Sequence, residues 1–315
     1  PIEQILSKLT ITSDNKEILF YLIDEAKRVI KNENELYSKT TKETIRIFYY
    51  RSDYWMLLCK SPKRSIDTIY LKENEKENLI TKVEEFFSEK TRDIYLKYGI
   101  PYKSVHMIYG PPGTGKTTTI RGVASMINCD VYIIPIVKDM LDNDLVSAFA
   151  NINDDDEANP KIIIIEDVDT IFDNTRKEGD DHNGITLQGF LNCLDGFTCI
   201  EGTMLFITAN KPEILDSAFI RSCRIDHKLK LDYADKYQTE KMFQNFISSD
   251  SIKFKKFYDL IKHKKFTTAE LQEFLFYNRE KDDIIDIINE FFEIIDKNDP
   301  KKFEIIKDET GNLYS

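Results

Sequence analysis

The chain is poor in the residues that mark special classes of protein. Its 315 residues include only eleven glycines and nine prolines, too few for a collagen-like, low-complexity or wholly disordered chain. Its apolar runs, of which residues 131–137 are among the longest, fall far short of the ~20 residues that cross a bilayer. We therefore expect a folded globular chain without a transmembrane segment.

Cysteine and histidine are also scarce. The five cysteines include no pair at Cys-x-x-Cys spacing, and the four histidines stand singly. This pattern argues against a disulfide framework and against a zinc site. It fits reduced thiols in a soluble protein, with a reducing compartment such as the cytoplasm as the expected location.

An excess of positive charge is absent as well. Lys and Arg number 44 against 55 Asp and Glu, which leaves a net charge of −11. No summed positive field therefore attracts a phosphate backbone. Nucleic acid is not an expected partner.

The length, about twice that of an ordinary domain, predicts two compact units or one enlarged unit. Helical spacing over residues 14–30, followed by β-branched and aromatic alternation over 43–59, predicts a helix and a hairpin. We assign residues 1–60 to this small N-terminal α+β segment. It is expected to face a client or to line a channel.

Strand and helix patterns alternate in the middle of the chain, over residues 61–231. This alternation is typical of an α/β fold in which helices flank a parallel sheet. Only helical patterns follow, which predicts a small C-terminal helical subdomain over 232–300 and a tail over 301–315. The predicted strands are 105–109, 131–137, 162–165 and 204–208, and the predicted helices outside the N-terminal segment include 73–91, 238–247, 268–277 and 282–295.

One motif predicts a phosphate-binding loop. Residues 110–117 match Gly-x4-Gly-Lys-Ser/Thr and lie between a predicted strand and a predicted helix. Glycines in such a loop let backbone N–H groups converge on phosphate oxygens, and the helix adds the positive end of its dipole. Lys116 is expected to reach the β- and γ-phosphates of ATP, and the Thr117 hydroxyl to bind Mg²⁺. The predicted ATP-binding residues are Gly110, Pro111, Pro112, Gly113, Thr114, Gly115, Lys116, Thr117 and Thr118.

Two predicted strands end in polar residues suited to hydrolysis. Glu166 and Asp167 follow one strand, and Asn210 follows another. Ligands of open parallel sheets bind at the carboxyl ends of the strands. We expect Glu166 to hold Mg²⁺ and its water shell, and Asp167 to polarise the attacking water. Asn210 can orient water because its amide both donates and accepts.

Two arginines, Arg221 and Arg224, follow three residues apart. Guanidinium groups stabilise charge on a transferring phosphoryl group and are often supplied by a neighbouring subunit. Their spacing alone fits surface ion pairs better.

Together these residues resemble the AAA ATPases over roughly residues 61–247. The resemblance rests on the Tyr-Gly-Ile-Pro-Tyr sequence at 98–102, the phosphate loop, the Glu-Asp-Val-Asp sequence at 166–169, residues 191–196 and the arginine segment. Within the family, the chain is most similar to the mitochondrial chaperones that export the folded Rieske iron–sulfur protein during assembly of respiratory complex III. That group shares the order Glu then Asp at the acidic strand end, where most AAA proteins have Asp then Glu. The second acid, Asp167, is thus one methylene shorter than the usual Glu.

The resemblance implies a nucleotide site between the subunits of a ring. Lys116 and Thr117 would form Walker A, Glu166 and Asp167 Walker B, and Asn210 sensor 1. The arginine fingers that reach into the next protomer would be Arg221 and Arg224.

The chain departs from the family pattern in three places. Ser222-Cys223 replaces the usual Pro-Gly between the arginines, which makes that loop less rigid. The family's membrane-spanning helix is missing from this sequence. No aromatic-glycine pore loop is found in residues 136–140, which weakens a mechanism of pulling a threaded chain.

The main hypothesis is thus an Mg²⁺-dependent AAA ATPase that forms a homo-oligomeric ring of six or seven copies. Hydrolysis would drive conformational work on a protein client. Three alternatives are a nucleic-acid motor or loader, a scaffold that binds ATP with little turnover, and a small-molecule P-loop kinase. The acidic composition argues against the first, whereas the altered acidic and arginine segments leave the second open. A kinase would not need the trans arginines or the helical subdomain.

Overall fold

The computed structural model describes residues 43–51, 53–137, 140–152, 160–170, 184–195, 201–211, 225–281 and 283–298. Within these ranges the strands are β1 (Thr44–Arg51), β2 (Tyr54–Pro62), β3 (Lys103–Tyr109), β4 (Asp130–Ile134), β5 (Lys161–Ile165), β6 (Thr203–Ala209) and β7 (His227–Lys230). They form one sheet in the order β2-β1-β4-β5-β6-β3-β7. Every pair from β1 to β7 in this order is parallel.

Helices accompany the sheet and then continue alone. The described helices are α1 (Glu75–Phe86), α2 (Glu89–Tyr98), α3 (Lys116–Ile127), α4 (Asp142–Ala150), α5 (Leu187–Asp195), α6 (Lys236–Phe246), α7 (Ser251–Ile261), α8 (Thr268–Tyr277) and α9 (Ile288–Lys297). Two short 3-10 turns cover Ile66–Thr68 and Val168–Thr170. The predicted α/β fold, a mostly parallel sheet with flanking helices and a C-terminal helical part, is confirmed.

The central strands are buried on both faces. All residues of β5 and β6 are buried, as is typical of parallel strands covered by helices on each side. Along β5, Ile163 and Ile165 pack into one core, and Ile162 and Ile164 pack into the other. Because the strands run parallel, their carboxyl ends lie at one edge of the sheet, where the phosphate loop begins.

The predicted hairpin over 43–59 is found, but it belongs to the central sheet. The two-residue connection between β1 and β2 fits only an antiparallel pair, and β1 pairs with β4 through Ile47 and Val131. The hairpin joins the central sheet because Ile45 and Ile47 of β1 are buried there, in one of the two cores. The sheet therefore includes residues that the sequence analysis assigned to a segment ending at residue 60.

Other differences have local causes. The strand predicted over 131–137 ends at Ile134 because Pro135 lacks the N–H that would continue the ladder. The helix predicted over 73–91 is two helices, because the Ser88 side chain accepts the N–H of Thr91 and begins α2. The short strand β7 at the end of the described sheet was not predicted.

The helical subdomain, α6–α9, has its own core, which is rich in phenylalanine. Phe257, Phe274 and Phe291 are fully buried there. The helix predicted over 268–277 has those bounds, whereas α9 begins at Ile288 and not at residue 282. The predicted N-terminal helix over 14–30 and the tail over 301–315 lie outside the described residues.

Candidate nucleotide site

The phosphate loop joins β3 to α3 and depends on glycine. Gly110 has a φ of +144°, and a β-carbon built there would lie 1.7 Å from the Leu231 carbonyl oxygen. Gly113 and Gly115 have φ values of +79° and +92°, which residues other than glycine rarely adopt. The Gly110 N–H donates to the Ala209 carbonyl at 3.1 Å, which ties the loop to the end of β6.

The backbone of this loop fits an anionic group. In the described part of the chain, no acceptor receives the N–H groups of residues 113–118. Several of these donors belong to the first turn of α3, where the positive end of the helix dipole lies. Phosphate oxygens are the acceptors that such an arrangement suits.

Lys116 is buried at the centre of the site. Its Nζ donates to the carbonyl oxygens of Gly110 at 2.8 Å and Pro111 at 3.1 Å, and to the Oδ1 atom of Asn210 at 2.7 Å. Burial lowers the pKa of Lys116, and the nearby carboxylates of Asp167, Asp169 and Glu166 oppose that effect. These carboxylates favour the charged ammonium that a phosphate requires.

Two side chains that offer oxygen atoms meet at the start of α3, one from the helix and one from the end of β5. The Thr117 hydroxyl donates to the Oε1 atom of Glu166, so the two side chains predicted to bind Mg²⁺ are in contact. Hydroxyl, carboxylate and phosphate oxygens suit this hard cation. Among the described residues, no group of three or more His, Cys, Asp or Glu side chains is placed to hold a metal. The residues therefore fit Mg²⁺ that takes its remaining ligands from phosphate and water.

Asn210 connects the phosphate loop with the acidic strand end. Strand β6 lies between β3 and β5 in the sheet, so its last residues lie between Lys116 and Asp167. The Asn210 Nδ2 atom donates to the Oδ1 atom of Asp167 at 2.9 Å. Lys116 donates only, so the amide presents its oxygen to Lys116 and its nitrogen to Asp167.

Asp169 has a structural role that the sequence analysis did not assign. Its buried carboxylate accepts the N–H of Asn210 and that of Lys211, each at 3.0 Å. It therefore fixes the chain after β6 beside the chain after β5. The signal in the sequence was its place two residues after Asp167, on the same strand end.

The helical subdomain also contributes to the site, which the sequence analysis missed. At the start of α8, the Ala269 N–H donates to the Gly113 carbonyl at 3.0 Å, and the Thr268 hydroxyl donates to the same oxygen at 3.3 Å. Thr267 and Glu270 form a capping box that begins this helix. The Thr-x-x-Glu spacing of these two residues was the sequence signal for the start of this helix.

The loop, the strand ends and α8 enclose one cleft of about 360 Å³, within the ~300–1,000 Å³ of small-molecule sites. Arg64, Thr68, Ile69 and Tyr70 form its remaining wall. Gln238 of α6 donates to the Tyr70 carbonyl at 2.8 Å, so this wall is joined to the helical subdomain.

Most of the predicted site residues thus lie together. Pro112, Thr114 and Thr118 also line the cleft. The predicted fingers Arg221 and Arg224 fall outside the described residues.

The fold and the site define a P-loop nucleotide-binding protein. Residues 106–233 match the family described as ATPase family associated with various cellular activities (AAA). Residues 236–290 match the family described as mitochondrial chaperone BCS1-like, ATPase lid domain. The chain therefore contains an AAA ATPase domain followed by a BCS1-like lid domain, which forms its helical subdomain.

Three relatives agree with this assignment. The probable mitochondrial chaperone BCS1-A of Dictyostelium discoideum is 35% identical over 58% of this chain and 44% of its own length. The probable mitochondrial chaperone bcs1 of Schizosaccharomyces pombe is 28% identical over 90% of this chain and 61% of its own length. The mitochondrial chaperone BCS1 of Homo sapiens is 25% identical over 75% of this chain and 55% of its own length.

The chain therefore spans between 44% and 61% of the length of these three relatives. As for membrane insertion, no helix within the described ranges has the length and apolar character to cross a bilayer.

Proposed function

We propose that this chain hydrolyses ATP with Mg²⁺ as part of a homo-oligomeric ring of six or seven copies and uses the energy for conformational work on a protein client. The observation that carries the ATPase part is the hydrogen-bonded series Lys116, Asn210 and Asp167. It joins the side chain expected to hold phosphate with the acid expected to act on water. The relatives named as chaperones support the protein client.

The binding step is assigned to the loop and its flanks. The N–H groups of residues 113–118 and the Lys116 ammonium would hold the phosphates. The oxygens of Thr117 and Glu166 would hold Mg²⁺, which when bound neutralises phosphate charge.

The chemical step is assigned to Asp167 and Asn210. A water oxygen attacks the γ-phosphorus, its proton passes to the Asp167 carboxylate, and the bond to the β–γ bridging oxygen breaks with its electron pair leaving on ADP. Asn210 would orient the water and the carboxylate through its amide.

Coupling to work is assigned to the lid and to a neighbouring subunit. We propose a large ATPase subdomain that ends at residue 231 and a lid over 232–300. The contact of Ala269 with Gly113 supports a lid position that responds to the phosphate loop. Arg221 and Arg224 are proposed to act in the site of the adjacent copy.

Two measurements on the purified chain test this proposal. Phosphate release that requires Mg²⁺ and falls at least about 100-fold in Asp167→Asn would eliminate the ATP-binding scaffold. The mass of the ATP-bound assembly is expected to correspond to six or seven copies. A monomer that hydrolyses ATP at full rate would overturn the ring, and salt-dependent DNA binding would favour a nucleic-acid motor.

A further inference from the structure

Asp167 has a backbone conformation that most residues avoid. Its φ is +52°, in the left-handed region that Asp and Asn enter more readily than other residues with side chains. In the described part of the chain, four residues other than glycine have positive φ, and all are Asp or Asn. Three of them serve a hairpin turn or a helix end, namely Asp53, Asn74 and Asn128.

Asp167 differs because it lies in the nucleotide site, where three hydrogen bonds fix its backbone. Its N–H donates to the Oγ1 atom of Thr208 at 2.9 Å. Its carbonyl accepts the N–H of Thr170 at 2.9 Å and the Thr170 hydroxyl at 2.7 Å. A strained conformation persists where the surroundings determine it in this way, and such positions concentrate at functional sites.

Thr208 is the buried member of this arrangement. It is 1% exposed, near the end of β6 and two residues before Asn210. The same strand end therefore holds the Asp167 backbone through Thr208 and the Asp167 carboxylate through Asn210. Both contacts hold the acid at the carboxyl end of β6, which lies beside the phosphate-loop strand β3.

We propose that Thr208 is a positioning residue for ATP hydrolysis, which holds Asp167 in the left-handed conformation that directs its carboxylate toward Asn210 and the phosphate loop. The inference rests on the proposed function, since it assumes that Asp167 acts on the attacking water. It also gives a physical reason for Asp in place of the longer Glu at position 167, because this backbone conformation suits Asp better than Glu. The position of the Asp167 carboxylate relative to the attacking water is then set by the backbone turn at residue 167.

The first test replaces the Thr208 hydroxyl with a methyl group of similar size. In Thr208→Val the Asp167 N–H loses its acceptor, so kcat is expected to fall at least tenfold while the Kd for ATP stays within twofold. Thr208→Ser, which keeps the oxygen, is expected to recover most of the rate. The matched control is Thr239→Val, which removes another fully buried hydroxyl, in α6 of the lid, and is expected to leave kcat within twofold.

The second test separates positioning from general support of the fold. In an Asp167→Asn background, Thr208→Val should leave the residual rate unchanged, because the group through which Thr208 acts is already disabled. A similar fold-decrease in both backgrounds would overturn the proposal, as would full activity of Thr208→Val in the wild-type background. If Thr208→Val does not fold, Thr170→Ala removes the hydroxyl contact on the other side of Asp167 and is expected to show the same split between kcat and Kd.

The two proposals fail differently. A wild-type chain that binds ATP without hydrolysing it would overturn the proposed function and this inference with it. If the wild type hydrolyses ATP and Thr208→Val does so at the same rate, only the inference about Thr208 is overturned.

Discussion

The Nζ atom of Lys116 lies 2.7 Å from the Oδ1 atom of Asn210. Lys116 begins α3 and Asn210 follows β6, so this contact joins the phosphate loop to the neighbouring strand. The same amide donates to Asp167 through Nδ2. Lys116 and Asp167 therefore hydrogen-bond the two ends of one amide side chain.

Lys116→Ala is expected to weaken ATP binding about 10- to 100-fold, because a charge-assisted hydrogen bond contributes about 1.5–3 kcal/mol. Titration with a fluorescent ATP analogue measures the affinity. Lys241→Ala, on the exposed side of α6, serves as the matched control and should leave the Kd within twofold. Equal affinities for Lys116→Ala and the wild type would contradict the phosphate role of Lys116.

Asp167→Asn should separate binding from chemistry. The amide oxygen can still accept from Asn210, and Asn tolerates the left-handed backbone as Asp does, so ATP affinity should remain within a few-fold. The rate of phosphate release should fall about 100- to 10,000-fold, since a general base is lost. Single-turnover kinetics beside equilibrium binding provide the comparison. A rate that survives the substitution would assign the base to another residue.

Gly110→Ala should destabilise the fold strongly. Its β-carbon would meet the Leu231 carbonyl oxygen, so the phosphate loop or the chain after β7 must move. Gly99 offers a control at the end of α2, with a φ of +64° and no atom within 4 Å of the added carbon. There only the left-handed conformation is penalised, by about 1–2 kcal/mol. Urea unfolding of both variants is the measurement, and similar losses would show that the contact with Leu231 does not matter.

The sequence predicted those parts of the site that depend on local motifs. The phosphate loop could be recognised because glycine spacing, Lys116 and the following helix are contiguous. The closeness of Glu166 to Thr117 followed from a general rule, that parallel strands present their carboxyl ends at one edge. Both strand ends lie where that rule placed them.

Other parts of the site depend on long-range contacts without a local signal. The approach of Thr268 to Gly113 joins positions 155 residues apart, and no periodicity encodes it. Nor does the pattern Glu166-Asp167 reveal a positive φ, because Asp is common in turns that are not strained. The pairing of β1 with β4 also lacks a local signal. Long-range packing decides which strand lies beside Ile47.

Low pH should destabilise the fold through His106, which is buried in β3 beside Ser104, Phe206, His227 and Lys82. Burial, with His227 and Lys82 nearby, lowers the pKa of His106 from 6.5 to about 3. Between these two pKa values, His106 is neutral in the folded chain but protonated in the unfolded chain. The stability contributed by His106 is therefore present above pH 6.5 and is lost as the pH falls toward 3, by up to about 1.4 kcal/mol per pH unit.

His106→Gln keeps a polar group near Ser104 and removes the titration. Its free energy of unfolding in urea should depend less steeply on pH between 6.5 and 4.5 than that of the wild type. Parallel pH dependences would assign acid sensitivity to other groups.

Arg224→Ala should impair the neighbouring site and spare its own. Each mutant subunit should bind ATP normally, because Lys116 and residues 113–118 are intact, while the homogeneous assembly should lose most of its turnover. Mixing Arg224→Ala with Lys116→Ala subunits gives the sharper measurement. An interface that combines the intact phosphate loop of one mutant with the intact arginine of the other can still act, so the mixture should regain activity that neither mutant has alone. The regained rate should vanish on dilution below the assembly concentration. A mixture no more active than the sum of its parts would show that Arg224 does not act in trans.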